Sequence, residues 1–163
     1  MGNEIQILSG SQGECLAVAG GNYRILASGE QTSGSYAVIE MNVPPGGGPP
    51  PHSHPLMAET FYLVEGELEF KTESGSERVK QGGFVHIPLE GGVHCFRNVS
   101  GKVAKMLCTV VPSGLEVVFR QIGVPVKAGE FVPPPAATPE RIALLEKIDR
   151  EHGQQTYPRD YLD

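Results

Sequence analysis

Residues 52–66 read His52-Ser53-His54-Pro55-Leu56-Met57-Ala58-Glu59-Thr60-Phe61-Tyr62-Leu63-Val64-Glu65-Gly66. Two imidazoles and a carboxylate lead into a run with the two-residue period of a β-strand. Side chains two apart on a strand point to one face, so His52 and His54 aim at a common point. If Glu59 faces inward, Phe61 and Leu63 face inward with it. Glu65-Gly66 then reads as a hairpin turn into a second strand over Glu67–Lys71. Far downstream, His94 opens another strand and shares its face with Phe96 and Asn98. Two strands carrying ligands on one concave surface can close around a single ion.

The flanking chain repeats the pattern of short strand and turn. Cys15–Ala19 and Tyr23–Ala27 are split by Gly20-Gly21-Asn22 and read as a hairpin or two adjacent strands. Ser35–Val43 alternates as a strand, and Pro44 to Pro51 is a rigid Pro/Gly loop. No Lys-Ser/Thr pair follows that loop, so it is not a phosphate cradle. Glu77–Lys80, Phe84–Pro88, His94–Val99, Lys102–Val111 and Leu115–Ile122 are the remaining expected strands. The chain of 163 residues holds 21 Gly and 14 Pro, many of them between these runs. This punctuation predicts an all-β sandwich or barrel built as one domain. Beyond Pro133-Pro134-Pro135 the character changes. Thr138 can cap a helix with Pro139 at its first position and Gly153 at its end. Ile142, Leu145 and Ile148 recur at helical spacing, so one face is expected to pack on the barrel or on a partner subunit. The polar tail after Gly153 is expected to be loosely ordered.

The division expected is thus 1–34 for N-terminal strands packing on the barrel or a dimer partner, 35–125 for the barrel, and 126–163 for a Pro-rich linker, helix and tail. The formal net charge is -6, and no stretch concentrates Lys and Arg. Nucleic acid and anionic membranes are therefore excluded as expected partners. No apolar run approaches the roughly 20 residues of a membrane helix. Cys15, Cys95 and Cys108 are odd in number and form no CxxC pair, which predicts free thiols and a cytoplasmic protein. The residues from Met1 to Ile5 lack the basic start and apolar run of a signal peptide.

Imidazole and carboxylate without thiolate suit one divalent transition metal ion: Fe, Mn, Ni, Co, Cu or Zn. Four protein ligands on a six-coordinate ion leave about two positions for water, oxygen or substrate. An ion with open positions is a chemical site more often than a structural clip.

Gly46-x5-His52-x-His54-x4-Glu59-x6-Gly66 resembles the first motif of the cupin superfamily. Gly82-x5-Pro88 and Gly91-x2-His94-x3-Asn98 resemble the second, with one extra residue between Pro88 and Gly91. The resemblance covers about residues 36–122. It implies a jelly-roll barrel, the double-stranded β-helix, with one metal in its mouth held by His52, His54, Glu59 and His94. Glu59 to Leu68 looks like the matching strand of bacterial quercetin-dioxygenase-like proteins. That likeness implies a dioxygenase acting on a small aromatic or enolic substrate, with Glu59 accepting the substrate hydroxyl proton. Those enzymes are often two-domain, whereas one motif pair is present here. A metal-dependent isomerase, decarboxylase or cyclase, or a non-enzymatic binding cupin, remains open.

Phe61, Phe96, Met41 and Met106 are candidates for an apolar substrate pocket behind the metal, with plain barrel core as the other reading. Tyr36 is a candidate phenolic contact to substrate, or else a buried or edge tyrosine. Cys95 should face away from His94, and His86 is expected at a surface or dimer contact. A small-molecule substrate and a homodimer are the expected partners, since jelly-roll edges need covering.

Overall fold

Alternation of apolar and polar side chains sets the strands of this chain and points one face of each into a shared interior. The computed structural model describes residues 4–163, so the first three residues of the N-terminal segment lie outside this description. In order, the elements are β1 (Glu14–Val18), β2 (Gly21–Ala27), a helical turn α1 (Gly29–Thr32), β3 (Ala37–Val43), β4 (His52–Ser53), β5 (Ala58–Glu65), β6 (Glu67–Thr72), β7 (Gly75–Lys80), β8 (Phe84–Ile87), β9 (His94–Arg97) and β10 (Ala104–Val111). They continue through α2 (Leu115–Ile122), β11 (Val124–Pro125), α3 (Pro139–His152) and β12 (Gln155–Thr156).

The strands form two antiparallel sheets. One has seven strands in the order β11-β1-β2-β3-β10-β5-β8, and the other has five in the order β12-β4-β9-β6-β7. The hairpin β1–β2 continues the same sheet as β3. Along β3, Ala37, Ile39, Met41 and Val43 are buried, and along β10 so are Ala104, Met106, Cys108 and Val110. Phe61 of β5 reaches across to Phe70 of β6 and Phe96 of β9, with ring centroids 5.4 and 5.7 Å apart. This trio joins the sheets in tilted, edge-biased geometry and anchors the core. At the β5–β6 turn Gly66 has φ +80°, and a Cβ there would meet Ala104 Cα at 3.0 Å, so the hairpin requires glycine.

Two expectations are corrected. Leu115–Ile122 is not a strand but the helix α2. Its valines and phenylalanine suggest a strand, yet Leu115, Val118, Phe119 and Ile122 recur at i, i+3, i+4 and i+7. Leu115, Val118 and Phe119 are buried on that stripe. Glu116, also buried, accepts hydrogen bonds from Gly114 N and Gly29 N and ties the helix start to α1. The tail after Gly153 is not loose: β12 pairs with β4 at Gln155↔Ser53 and Thr156↔His52. Backbone pairing orders it where its polar side chains give no signal.

α3 begins and ends where expected. Thr138 Oγ1 accepts from Arg141 N, Pro139 opens the helix, and Gly153 closes it in the left-handed region. Ile148 is buried in the core, whereas Ile142 is 46% exposed. Arg141 donates to Ile122 O at 2.6 Å, binding α3 to the carboxyl end of α2.

Candidate metal centre

Three segments bring the expected ligands together at one end of the barrel. The Pro/Gly loop sets up β4. Gly46 N donates to Asn98 O and Asn98 N to Gly47 O, so the loop lies flat on the end of β9. Gly48 (φ +139°) sits so close that a Cβ would lie 2.1 Å from Phe96 O; only glycine fits. His52 of β4 then stands opposite His94 of β9. Glu59 enters from the other sheet, where β5 pairs it with Val110 and Ile87.

The four side chains His52, His54, Glu59 and His94 converge, and one ligand atom from each lies within 4.8 Å of all the others. With metal–ligand bonds of about 2.0–2.2 Å, ligands on opposite sides of an ion are about 4.4 Å apart, so a slight contraction closes the set. The imidazole centroids are 4.6 to 5.5 Å apart.

Tautomers follow from the backbone. His52 Nδ1 lies 2.9 Å from Pro50 O, and His94 Nδ1 lies 2.9 Å from Gly92 O. A carbonyl can only accept, so each Nδ1 carries the proton and each Nε2 presents a lone pair to the centre. His54 Nε2 stands 2.8 Å and His94 Nε2 3.6 Å from Glu59 Oε2. None of these three buried atoms has a hydrogen-bond partner outside the cluster. Buried polar atoms are ordinarily satisfied, so a group of them aimed at one point fits a cation.

The titration of the cluster follows from its burial. Burial and then the neighbouring His94 pull the His52 pKa down to about 4. Burial also acts to lower that of His54, but the Glu59 carboxylate outweighs it and the net shift is upward. Burial would raise the Glu59 pKa, yet His54 and His94 together hold it well below the usual carboxylate range. Glu59 is therefore an anion in a buried site, as a metal ligand must be.

Phe61 and Phe96 each lie two residues beyond a candidate ligand, on β5 and β9, and their rings pack on each other in the buried core. Met41 and Met106 are brought together instead with each other, paired across β3–β10 deeper in the core. Tyr36 is 44% exposed, just ahead of β3, and exchanges hydrogen bonds with Thr32; it is neither buried nor in a strand. The interior tyrosine is Tyr23, packed on Phe119 at 5.2 Å. Cys95 faces the opposite way from His94, lining a small cleft with Lys71 and Asp163. His86 is exposed on β8.

Cys108 is the residue that sequence reading misses. Its Sγ donates to Glu59 Oε1 at 3.1 Å. Burial, reinforced by the Glu59 charge, pushes the thiol pKa well up, so it stays a donor. The inward parity of β10 was visible in the alternation. The β5–β10 register, which sets Cys108 beside Phe61 and one pleat from Glu59, was not.

Residues 39–110 match the Cupin domain family, a span that includes all four converging side chains. Over 131 residues, 80% of the chain, the sequence is 30% identical to quercetin 2,3-dioxygenase of Bacillus subtilis. The chain spans 38% of the length of that relative. A predicted oxalate decarboxylase from Thermotoga maritima superposes with a TM-score of 0.56 at 21% identity, over 63% of this chain and 94% of that one.

The chain belongs to the cupin superfamily.

A second solved structure, KdgF from Halomonas sp., matches with a TM-score of 0.53 at 16% identity, over 60% of this chain and 84% of that one. At such identities the structures speak for the barrel alone. No described helix of this cupin is long and apolar enough to cross a membrane.

Proposed function

We propose that this cupin is a metal-dependent oxidoreductase, a dioxygenase acting on a small aromatic or enolic substrate in the barrel mouth. The observation that carries the reading is the convergence of three imidazoles and one carboxylate on one point, where His54 Nε2, His94 Nε2 and Glu59 Oε2 are buried with no partner outside the cluster. The 30% identity to quercetin 2,3-dioxygenase supports the choice of reaction.

His52, His54, Glu59 and His94 hold the ion. When bound, a divalent transition metal supplies Lewis acidity and redox capacity beside an oxygen-reactive substrate. Glu59, ionised and steadied at Oε1 by Cys108, is in the state that accepts a substrate hydroxyl proton. Phe61 and Phe96 close the floor of the site and exclude water from beneath it.

Oxygen uptake by metal-loaded protein with a panel of flavonols and catechols tests the reaction. Uptake that tracks substrate loss supports it. Turnover of a keto acid or sugar without oxygen uptake replaces it with a decarboxylase or isomerase. Tight binding without turnover replaces it with a non-enzymatic cupin.

The same reading includes a homodimer. Tyr62, Val64, Phe84 and Val111 are exposed on the outer face of the seven-stranded sheet, with Tyr62 opposite Phe84. A second copy would cover this apolar face. Light scattering should give twice the chain mass, and a monomer at high concentration refutes it. A cytoplasmic setting is in keeping with three buried, unpaired thiols.

A further inference from the structure

β4 is two residues long, yet His52 lies within it and His54 directly follows it. On the barrel side it has one residue pair, His52↔His94. On its other side it has two, Gln155↔Ser53 and Thr156↔His52, and Tyr157 N donates to Pro51 O at 2.8 Å. Most of the backbone pairing of the ligand strand therefore comes from the segment after α3.

That segment and the last residue of α3 before it are fastened at three places. Gly153 abuts the loop between His54 and Glu59, where a Cβ would lie 2.6 Å from Leu56 Cδ1. His152 Nε2 lies 2.9 Å from Gln121 Oε1 of α2. At the far end, Asp163 pairs with Lys71 of β6 after the chain has folded back over Cys95 and Arg97, with the rings of Tyr157 and Tyr161 in tilted contact at 4.5 Å. The path thus runs from the His54–Glu59 loop, along β4, to the outside of the sheet that carries His94.

We propose that residues 153–163 form a strap that positions β4, and that Tyr157 and Lys71 are positioning residues for the metal centre. The inference rests on the reading of His52, His54, Glu59 and His94 as metal ligands. Without the strap, β4 keeps one ladder pair, and the directions of its imidazoles rest on that pair and on local bonds at Pro50, His54 and Pro55. Supports of this kind around metal ligands typically change affinity by about 10–100-fold.

The test compares Tyr157→Pro, which deletes the N–H to Pro51, with Tyr157→Ala, which keeps it and removes only the ring. Zinc and manganese affinity are measured by chelator competition in the full chain, with amide exchange over residues 50–56 as the second readout. Tyr157→Pro is expected to weaken metal binding by about tenfold or more and to speed exchange in β4. Tyr157→Ala should stay nearer the parent in both. Lys71→Ala, a change at a partly buried position outside the hydrophobic core, should loosen the same amides and lower affinity in the same direction.

Equal affinities for parent and Tyr157→Pro overturn the strap's role while leaving the ligand assignment in place. Faster exchange in Lys71→Ala with unchanged affinity overturns it as well, and decides the matter should Tyr157→Pro not fold. A parent that binds neither metal brings down the ligand assignment and the strap together.

Discussion

Cys108 Sγ donates to Glu59 Oε1 at 3.1 Å, across the β5–β10 ladder and beneath the converging histidines. The bond occupies one carboxylate oxygen and leaves Oε2 turned toward His54 and His94. A thiol held protonated by burial and by the carboxylate itself acts here as an orienting donor, not as a ligand or nucleophile.

Cys108→Ala should therefore weaken metal binding by about tenfold without changing the metal stoichiometry. Cys108→Ser, which keeps a donor on a shorter reach, should recover part of the loss. Chelator competition on the folded variants checks both. Equal affinity in Cys108→Ala would mean that the thiol does not orient the carboxylate.

The cluster also sets a pH optimum for the metal-free protein. His52, with its folded pKa near 4 and an unfolded value of 6.5, destabilises the fold progressively as pH falls below 6.5. Glu59, depressed below 4.5, contributes stability above that pH and loses it on further acidification. His54, raised above 6.5, contributes stability below that pH and loses it as pH rises through its folded value. Thermal unfolding of metal-free protein should peak near pH 6.5. Metal affinity should instead climb as His54 loses its proton, since ligation needs neutral imidazole. A stability maximum well above neutrality, or affinity that falls between pH 6 and 8, would count against the assigned shifts.

Asn98 holds the turn that delivers the Pro/Gly loop to β9. Its Nδ2 donates to Val43 O at 2.8 Å and Lys102 O at 2.7 Å, and its Oδ1 accepts from Ser100 N. Asn98→Ala leaves these backbone groups short of partners and should cost about 2–4 kcal/mol in urea unfolding. A loss within experimental error would mean that water replaces the side chain.

Phe61 links the sheets through Phe70 and Phe96 and is 1% exposed. Phe61→Ala should cost about 3–5 kcal/mol through lost burial and the cavity left behind. Phe61→Leu should retain most of the stability. If both variants unfold alike, the trio is a tolerance site and not the anchor.

The barrel was legible because strand alternation is local. The inward parity of Glu59, Phe61 and Leu63 shows in the sequence, and so does the spacing of His52, His54 and His94. What escaped depended on contacts between distant segments or on conflicting local signals. Val117, Val118 and Phe119 favour a strand by type, whereas the stripe from Leu115 to Ile122 packs as a helix. Gln155 and Thr156 become a strand only because β4 presents a free edge beside them. Cys108 became relevant through the register of β10 on β5, which no spacing within β10 encodes. Tyr36 and Met106 were nominated by residue type; the fold leaves Tyr36 half-exposed beside Thr32 and seals Met106 in the core.

The most direct test is the metal content of the purified full chain, measured by elemental analysis beside the double variant His52→Ala plus His94→Ala. A metal centre built on these residues requires one transition-metal ion per chain in the parent, little or none in the variant, and a lower unfolding temperature for the parent after chelation. A parent free of metal after incubation with each candidate ion, or a double variant that retains the same stoichiometry, would contradict it.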